Sequence, residues 1–347
     1  IKMIIFSNSK KTNTIITLII SMFIDDKNLL NEFVKSRNLS LRTSHGYKDA
    51  LKKYTLFNNE SFVYLLDEAD IEEEKCIRWK NRKLKRRLIN FRLYLINNFM
   101  YSTAKTHFQR ILTLYKHYEI EIHELPRLST KKINNSYVIS FEDLPTKEMI
   151  RQAIKISNPI MIALILFMSS SGCSRRESLN LTIGDFINAT LEYHNSHNIQ
   201  DILLILDNQV NVVPTFKIRR QKTNKFYFTF CSPEATKAIV KYLFTRKNLK
   251  KEDKLFKINL DYLNTNFKII NDVLGLEKVG KYRKLRCHML RKFHASVLYN
   301  SDMNWSLEEI DSLQGRSKDK THSSYFMEDP SILKNKYVDS LDCLIVN

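Results

Sequence analysis

Between Asn28 and Tyr118 the apolar positions recur at helical spacing throughout. Leu29, Leu30, Phe33 and Val34 make one apolar face, and Tyr47, Leu51 and Tyr54 make the next. Ser40-Leu41-Arg42-Thr43 supplies a helix start ahead of Tyr47. Ser102-Thr103, followed by Phe108, Ile111, Leu112 and Tyr115, echoes that arrangement, as two helical hairpins built alike would. Phe62, Leu65 and Leu66 predict a short helix between them. From Pro126 to Ser140 the periodicity is lost, and Ser129, Thr130, Lys131, Lys132, Asn134 and Asn135 have linker composition. The pattern therefore divides the chain into a helical domain over 1–126, a linker over 127–141 and a second domain over 142–347.

In the second domain a helix resumes after Asp143-Leu144-Pro145, and Ile160 to Met168 is apolar on every side, the mark of a helix buried all round. Ile202 to Leu206, Asn211 to Arg219 and Lys225 to Phe230 read as three strands, with Thr223-Asn224 where a tight hairpin turn is needed. Ser232-Pro233-Glu234 opens another helix with proline at its first position. Leu307, Ile310 and Leu313 predict a short helix ending at Gly315. Leu333 and Tyr337 predict a last short helix, a candidate tail for docking a partner. The whole is mostly α with a small antiparallel β-sheet.

A chain of 347 residues, 43% hydrophobic and 27% charged, can bury two cores of ordinary size and has the make-up of a soluble globular protein. The net charge of +19 points to a polyanion, since Lys and Arg gain affinity by displacing counterions from nucleic acid. No basic amphipathic helix favours a membrane surface, and the apolar run from Thr14 to Ile24 is too short to span a bilayer. That run lacks a small-residue cleavage site and reads as a buried or interface segment. The five cysteines form no C-x-x-C pair, which argues against a zinc site and a disulfide framework and for a reducing interior. Lys75 to Arg92 holds nine basic residues and no acidic one. Such a run repels itself unless an anion is near, so Lys83, Lys85, Arg86 and Arg87 are expected to face phosphate rather than water alone.

The chemistry concentrates late in the chain. His288 and Arg291 are three apart and project from one helix face. An arginine fork matches non-bridging phosphate oxygens, and histidine can donate to the same group. Arg316, behind Gly315, brings a second arginine from a separate element, and Tyr325 follows nine residues later with a hydroxyl nucleophile. Upstream, Ser170-Ser171-Gly172-Cys173-Ser174 leads into Arg175, Arg176 and Glu177, and Lys222 sits at the expected hairpin tip. Glu177 either orients an arginine by a charge-assisted bond or stands as a helix N-terminal carboxylate.

This order (Arg, hairpin Lys, H-x-x-R, G-R, Tyr) resembles the tyrosine recombinase, or phage integrase, family over about Asp143 to Tyr337. With Gln314-Gly315-Arg316 in place of the commoner Gly-His, in a lysine-rich, Ile/Asn-rich chain, it is similar to integrases of archaeal viruses and plasmids. The resemblance implies a helical core-binding domain and a catalytic domain that clamp double-stranded DNA, four protomers acting together, and a place on DNA in the host cytoplasm. It implies that Tyr325 attacks a scissile phosphate to form a 3′-phosphotyrosyl link, without metal or cofactor. Arg175, Arg291 and Arg316 would neutralise the non-bridging oxygens, His288 would assist, and Lys222 would protonate the leaving 5′-oxygen. The commoner motif places its arginine three residues before the Glu, where Ser174 stands here, so Arg175 is first choice and Arg176 the reserve. A type IB topoisomerase and a DNA-binding protein with a degenerate site are the rival readings. A metal-dependent nuclease is least favoured, because no clustered Asp/Glu/His spacing appears.

Overall fold

The computed structural model describes residues 25–128, 137–220, 224–316 and 329–346, which fall into two units, Ile1–Ser136 and Tyr137–Asn347. Among the described residues of the first unit five α-helices run as α1 (25–36), α2 (Leu41–Asn58), α3 (Phe62–Glu74), α4 (Lys83–Asn98) and α5 (Tyr101–His117). Ser40 and Ser61 cap α2 and α3 by accepting the N–H groups of Thr43 and Tyr64. Other starts are capped from a distance. Asp26 of α1 accepts the N–H groups of Phe62 at 2.8 Å and Val63 at 3.1 Å, two orphan donors of α3. Arg82, at the N-cap of α4, has no acceptor to offer, and Glu72 of α3 instead takes the N–H of Lys83 at 2.8 Å. The expected start at Ser102 is displaced: α5 begins behind Met100 with no side-chain cap, and Ser102 lies inside its first turn. The five helices bury Phe33, Tyr54, Phe62, Phe91 and Tyr115, and the Tyr54 and Tyr115 hydroxyls meet at 3.0 Å.

The second unit is built round α7 (Pro159–Ser171), which follows α6 (Lys147–Lys155) and packs against α11 (Pro233–Phe244) and α13 (Cys287–Tyr299). Between them lie α8 (Arg175–Ser178), α9 (Ile183–Ala189), α10 (Ile199–Asn208), β1 (Thr215–Arg219), β2 (Phe226–Phe230) and α12 (Leu260–Val273). The chain closes with α14 (Leu307–Leu313), α15 (Pro330–Asp339) and α16 (Leu341–Leu344). β1 and β2 pair antiparallel, with Arg219 opposite Phe226, so the small sheet has two of the three expected strands. The third, Ile202 to Leu206, is part of α10. Its apolar positions Ile199, Ile202, Leu203 and Leu206 have helical spacing, and Asn198 caps the start by accepting the N–H of Gln200. A dense apolar run did not distinguish strand from helix; the cap did.

Leu333 and Tyr337 form the inner face of α15, as the spacing predicted, but they do not wait for a partner. Both are buried in the unit's own second core with Phe230, Leu298, Trp305 and Leu313. Among the described residues no helix is long and apolar enough to cross a membrane.

The C-terminal end of α7 organises everything near it. Gly172 ends the helix in the left-handed region at φ +62°, and the carbonyls left without helical partners are taken by side chains. Tyr337 donates to the Ser170 carbonyl at 2.9 Å, Thr229 to that of Ser171 at 2.8 Å, and Arg291 to that of Gly172 at 2.7 Å. A cation here also meets the negative end of the helix dipole. There is no room for a side chain at Gly172, because a Cβ would lie 2.5 Å from His294 Nδ1 and 2.9 Å from Gln314 Nε2. Gly172→Ala is therefore expected to destabilise the unit by more than the roughly 1–3 kcal/mol of backbone strain alone. Thermal unfolding checks this against Gly275→Ala, where φ is +58° but the space around a Cβ is open.

Candidate active site and nucleic-acid interface

Ser174 fixes where α8 starts and so which arginine turns inward. Its hydroxyl accepts the Glu177 N–H at 3.4 Å and Glu177 Oε2 accepts the Ser174 N–H at 3.3 Å, a capping box. Arg175, the first helical residue, lines a cleft of about 520 Å³ together with His288 and Arg291. Arg176 is exposed and does not line it. Glu177 does not orient Arg175. Besides closing the cap, its buried carboxylate accepts from the Tyr227 hydroxyl at 3.1 Å, so the helix-terminal reading of this residue is the one observed.

Arg291 is buried, and both of its terminal nitrogens are committed. Nη1 donates to the Gly172 carbonyl and Nη2 to the Gln314 carbonyl, at 2.7 and 2.6 Å. Gln314 reciprocates: its side-chain amide donates to the Arg291 carbonyl at 3.0 Å and lies 3.1 Å from His294 Nδ1. Burial pushes the His294 pKa down to about 3, so this imidazole is a neutral spacer. One turn before Arg291, His288 stays exposed at the cleft. Its pKa is lowered first by desolvation and then by the surrounding cations Arg286, Lys292, Arg291 and Arg316. The neutral, proton-accepting form is thereby favoured near neutral pH.

Arg316 follows Gly315, whose φ of +58° ends α14 as the sequence predicted. Its charge is felt at both His288 and Arg291. The guanidinium itself, however, pairs with Asp311 at 3.0 Å and does not line the cleft. Lys222 and Tyr325 lie outside the described residues. The base of the hairpin that carries Lys222 is defined: the Arg220 guanidinium bonds the Gly315 carbonyl, and Asn224 adopts φ +59°. Arg220, the last described residue before 221–223, thus lies beside the turn that bears Arg316.

A second, smaller hairpin was not legible. β3 (Lys278–Val279) and β4 (Tyr282–Arg283) pair antiparallel around Gly280 and bring Lys278, Lys281 and Arg283 to the same cleft, with Arg286 just beyond. Its signal was a glycine between Val279 and Tyr282, amid five cations in the nine residues 278–286.

Three of the nine cations in the basic run of the first unit find carboxylate partners at home. Glu68 of α3 pairs with Lys83 at 3.0 Å and with Arg87 at 2.7 Å, and Glu73 pairs with Arg82. The anions that such a run requires are partly carboxylates of the neighbouring helix, invisible to a reading confined to 75–92. Among the described residues neither Lys85 nor Arg86 makes an ion pair, and these two remain open to phosphate. Neutralising both is expected to reduce the log–log salt slope of duplex binding by about 1 per lost contact. Neutralising Lys83 and Arg87 is expected to leave the slope nearly unchanged. Binding titrations across a salt series check both.

No protein-family model and no curated protein matches the chain. Among solved structures, the XerH site-specific recombinase bound to difH substrate in a pre-cleavage complex is 17% identical over 89% of this chain and 82% of that one, with a TM-score of 0.54. Its post-cleavage complex on a palindromic difH substrate is 18% identical, over 89% and 83%, with a TM-score of 0.53. The Tn1549 transposon integrase in complex with transposon right end DNA is 12% identical over 91% of this chain and 98% of that one, with a TM-score of 0.51. At such identities the likeness establishes the fold alone, mostly helical with a small antiparallel sheet, as one shared with these recombinase and integrase structures.

Proposed function

We propose that this protein is a site-specific DNA recombinase that cleaves and rejoins duplex DNA through a 3′-phosphotyrosyl intermediate on Tyr325. The observation that carries the reading is the meeting of Arg175, His288 and Arg291 in one cation-lined cleft, within the fold of DNA-bound recombinases. Arg175 and Arg291 neutralise charge building on the non-bridging oxygens, an oxyanion-type role that rewards a guanidinium fixed in advance. Arg316 supports them once DNA draws it from Asp311. His288, held neutral, accepts the Tyr325 proton as the hydroxyl attacks. Lys222 gives a proton to the departing 5′-oxygen. The covalent link conserves the energy of the broken bond, so the scheme uses neither metal nor nucleotide.

In this reading residues 1–126 are the core-binding domain and 142–347 the catalytic domain. Four protomers assemble on paired sites, in the host cytoplasm, and the Gln-Gly-Arg variant supports a kinship with integrases of archaeal viruses and plasmids. Incubation with a suicide duplex, followed by peptide mapping, is expected to find the adduct on Tyr325. Tyr337 is buried with its hydroxyl bonded to Ser170, and cannot serve without unfolding. A label on the exposed Tyr299 would overturn the assignment. Exchange of ends between two marked duplexes separates recombination from relaxation alone.

A further inference from the structure

We infer that the β3–β4 hairpin builds a second phosphate subsite beside the first, in which Arg286, stacked on Tyr282, holds a phosphate next to the scissile one on the same strand. This rests on the recombinase reading and extends it to residues that no motif assigned.

The cleft holds more positive charge than one phosphodiester can use. A phosphodiester carries one negative charge on two non-bridging oxygens, and Arg175, Arg291 and His288 already match those. Lys278, Lys281, Arg283 and Arg286 line the same cleft, and among the described residues that line it there is no carboxylate. None of these four makes an ion pair with a described residue. The fifth cation of the hairpin behaves otherwise: Lys284 turns to the Glu142 carbonyl at 3.4 Å, beside the Asp143 carboxylate. The hairpin thus settles one cation on the protein and leaves four facing an anion that the chain does not supply.

Arg286 is the best prepared of them. Its guanidinium lies over the Tyr282 ring, 4.5 Å from the ring centre, and its Nε is buried without a hydrogen-bond partner among the described residues. It immediately precedes Cys287 and His288, so whatever it holds sits next to the phosphate held by His288 and Arg291.

The test is a double-mutant cycle between protein and DNA. Duplexes on which the Tyr325 adduct forms are prepared with one uncharged methylphosphonate on either side of the scissile phosphate. One of the two is expected to bind the wild-type protein about tenfold or more weakly, the effect of one charge-assisted bond. Arg286→Ala should weaken binding of the unmodified duplex by a similar factor and be indifferent to that methylphosphonate. Tyr282→Ala should fall between, and Lys284→Ala should keep full sensitivity. Lys281→Ala, at the exposed hairpin turn, repeats the test where Arg286→Ala folds poorly, with a smaller loss of sensitivity expected. If Arg286→Ala remains as sensitive as the wild type, or the wild type ignores both substitutions while the Tyr325 adduct still forms, the subsite is wrong and the recombinase reading stands. If no duplex yields an adduct, both fall together.

Discussion

Arg291→Ala is expected to slow DNA cleavage by about 10²–10³, the effect of removing one preorganised donor, and to destabilise the fold at the same time. The second effect is written in the hydrogen bonds. Arg291 bridges the carbonyls of Gly172 and Gln314, and alanine would leave the buried Gly172 carbonyl without a partner and the Gln314 carbonyl with Arg220 alone, at 3.3 Å. Each orphaned acceptor costs about 1–3 kcal/mol. Arg291→Lys restores charge but cannot reproduce a two-pronged bridge, so it should recover part of the rate and little of the stability. Arg316→His is expected to be mild by both measures. Arg316 is partly exposed and gives up one surface pair with Asp311, worth about 0–1 kcal/mol, while histidine can still donate to a phosphate oxygen. Single-turnover cleavage and thermal unfolding on the same samples separate the two effects. Equal and severe losses of rate at both positions would show that Arg316 acts as a cation on the phosphate itself.

The other large effect is expected at Lys222. A 5′-alkoxide is a poor leaving group, so cleavage needs a proton delivered as the P–O bond breaks, a contribution of about 10²–10⁴. Replacing the bridging oxygen with sulfur turns the leaving group into a thiolate, which departs without protonation. Lys222→Ala should therefore be nearly inactive on ordinary DNA yet cleave the 5′-thio duplex at close to the wild-type rate. Arg175→Ala and Arg291→Ala should not be rescued, because their charges act on oxygens that the substitution leaves alone. Rescue of Lys225→Ala instead would place the acid on the other side of the hairpin. Rescue of neither would make Lys222 a phosphate clamp and move the search for the acid to His288.

What the sequence made legible was what is local. His288 and Arg291 share a face because they share a helix, and Gly172 and Gly315 mark helix ends because few other residues accept a positive φ. The choice between Arg175 and Arg176 was open in the sequence; with the Ser174 cap one residue away, Arg175 lines the cleft and Arg176 is exposed. What escaped depends on partners distant in the chain. Arg291 meets the Gly172 carbonyl across 119 residues, and Glu68 reaches Lys83 across 15. Of the two readings of Glu177, orienting an arginine or standing at a helix N-terminus, the second is observed, and its further partner, Tyr227, lies 50 residues on. The β3–β4 hairpin was missed because two-residue strands carry no measurable alternation.

Three side chains from three elements close the end of α7: Tyr337 from α15, Thr229 from β2 and Arg291 from α13. None can leave without uncovering a buried carbonyl, so the three elements should open together rather than fray in turn. In hydrogen exchange their amides near these contacts are expected to share one slow rate, that of a single cooperative unit. The coupling has a direction along the chain. Gln314, just before the turn bearing Arg316, and Tyr337 of α15 are both bonded into the same helix terminus, Gln314 through Arg291. Lifting α15 from its seat would uncover the Ser170 carbonyl, two residues from the Gly172 carbonyl that anchors Arg291, so strain on α15 is felt at the helix end that holds the site.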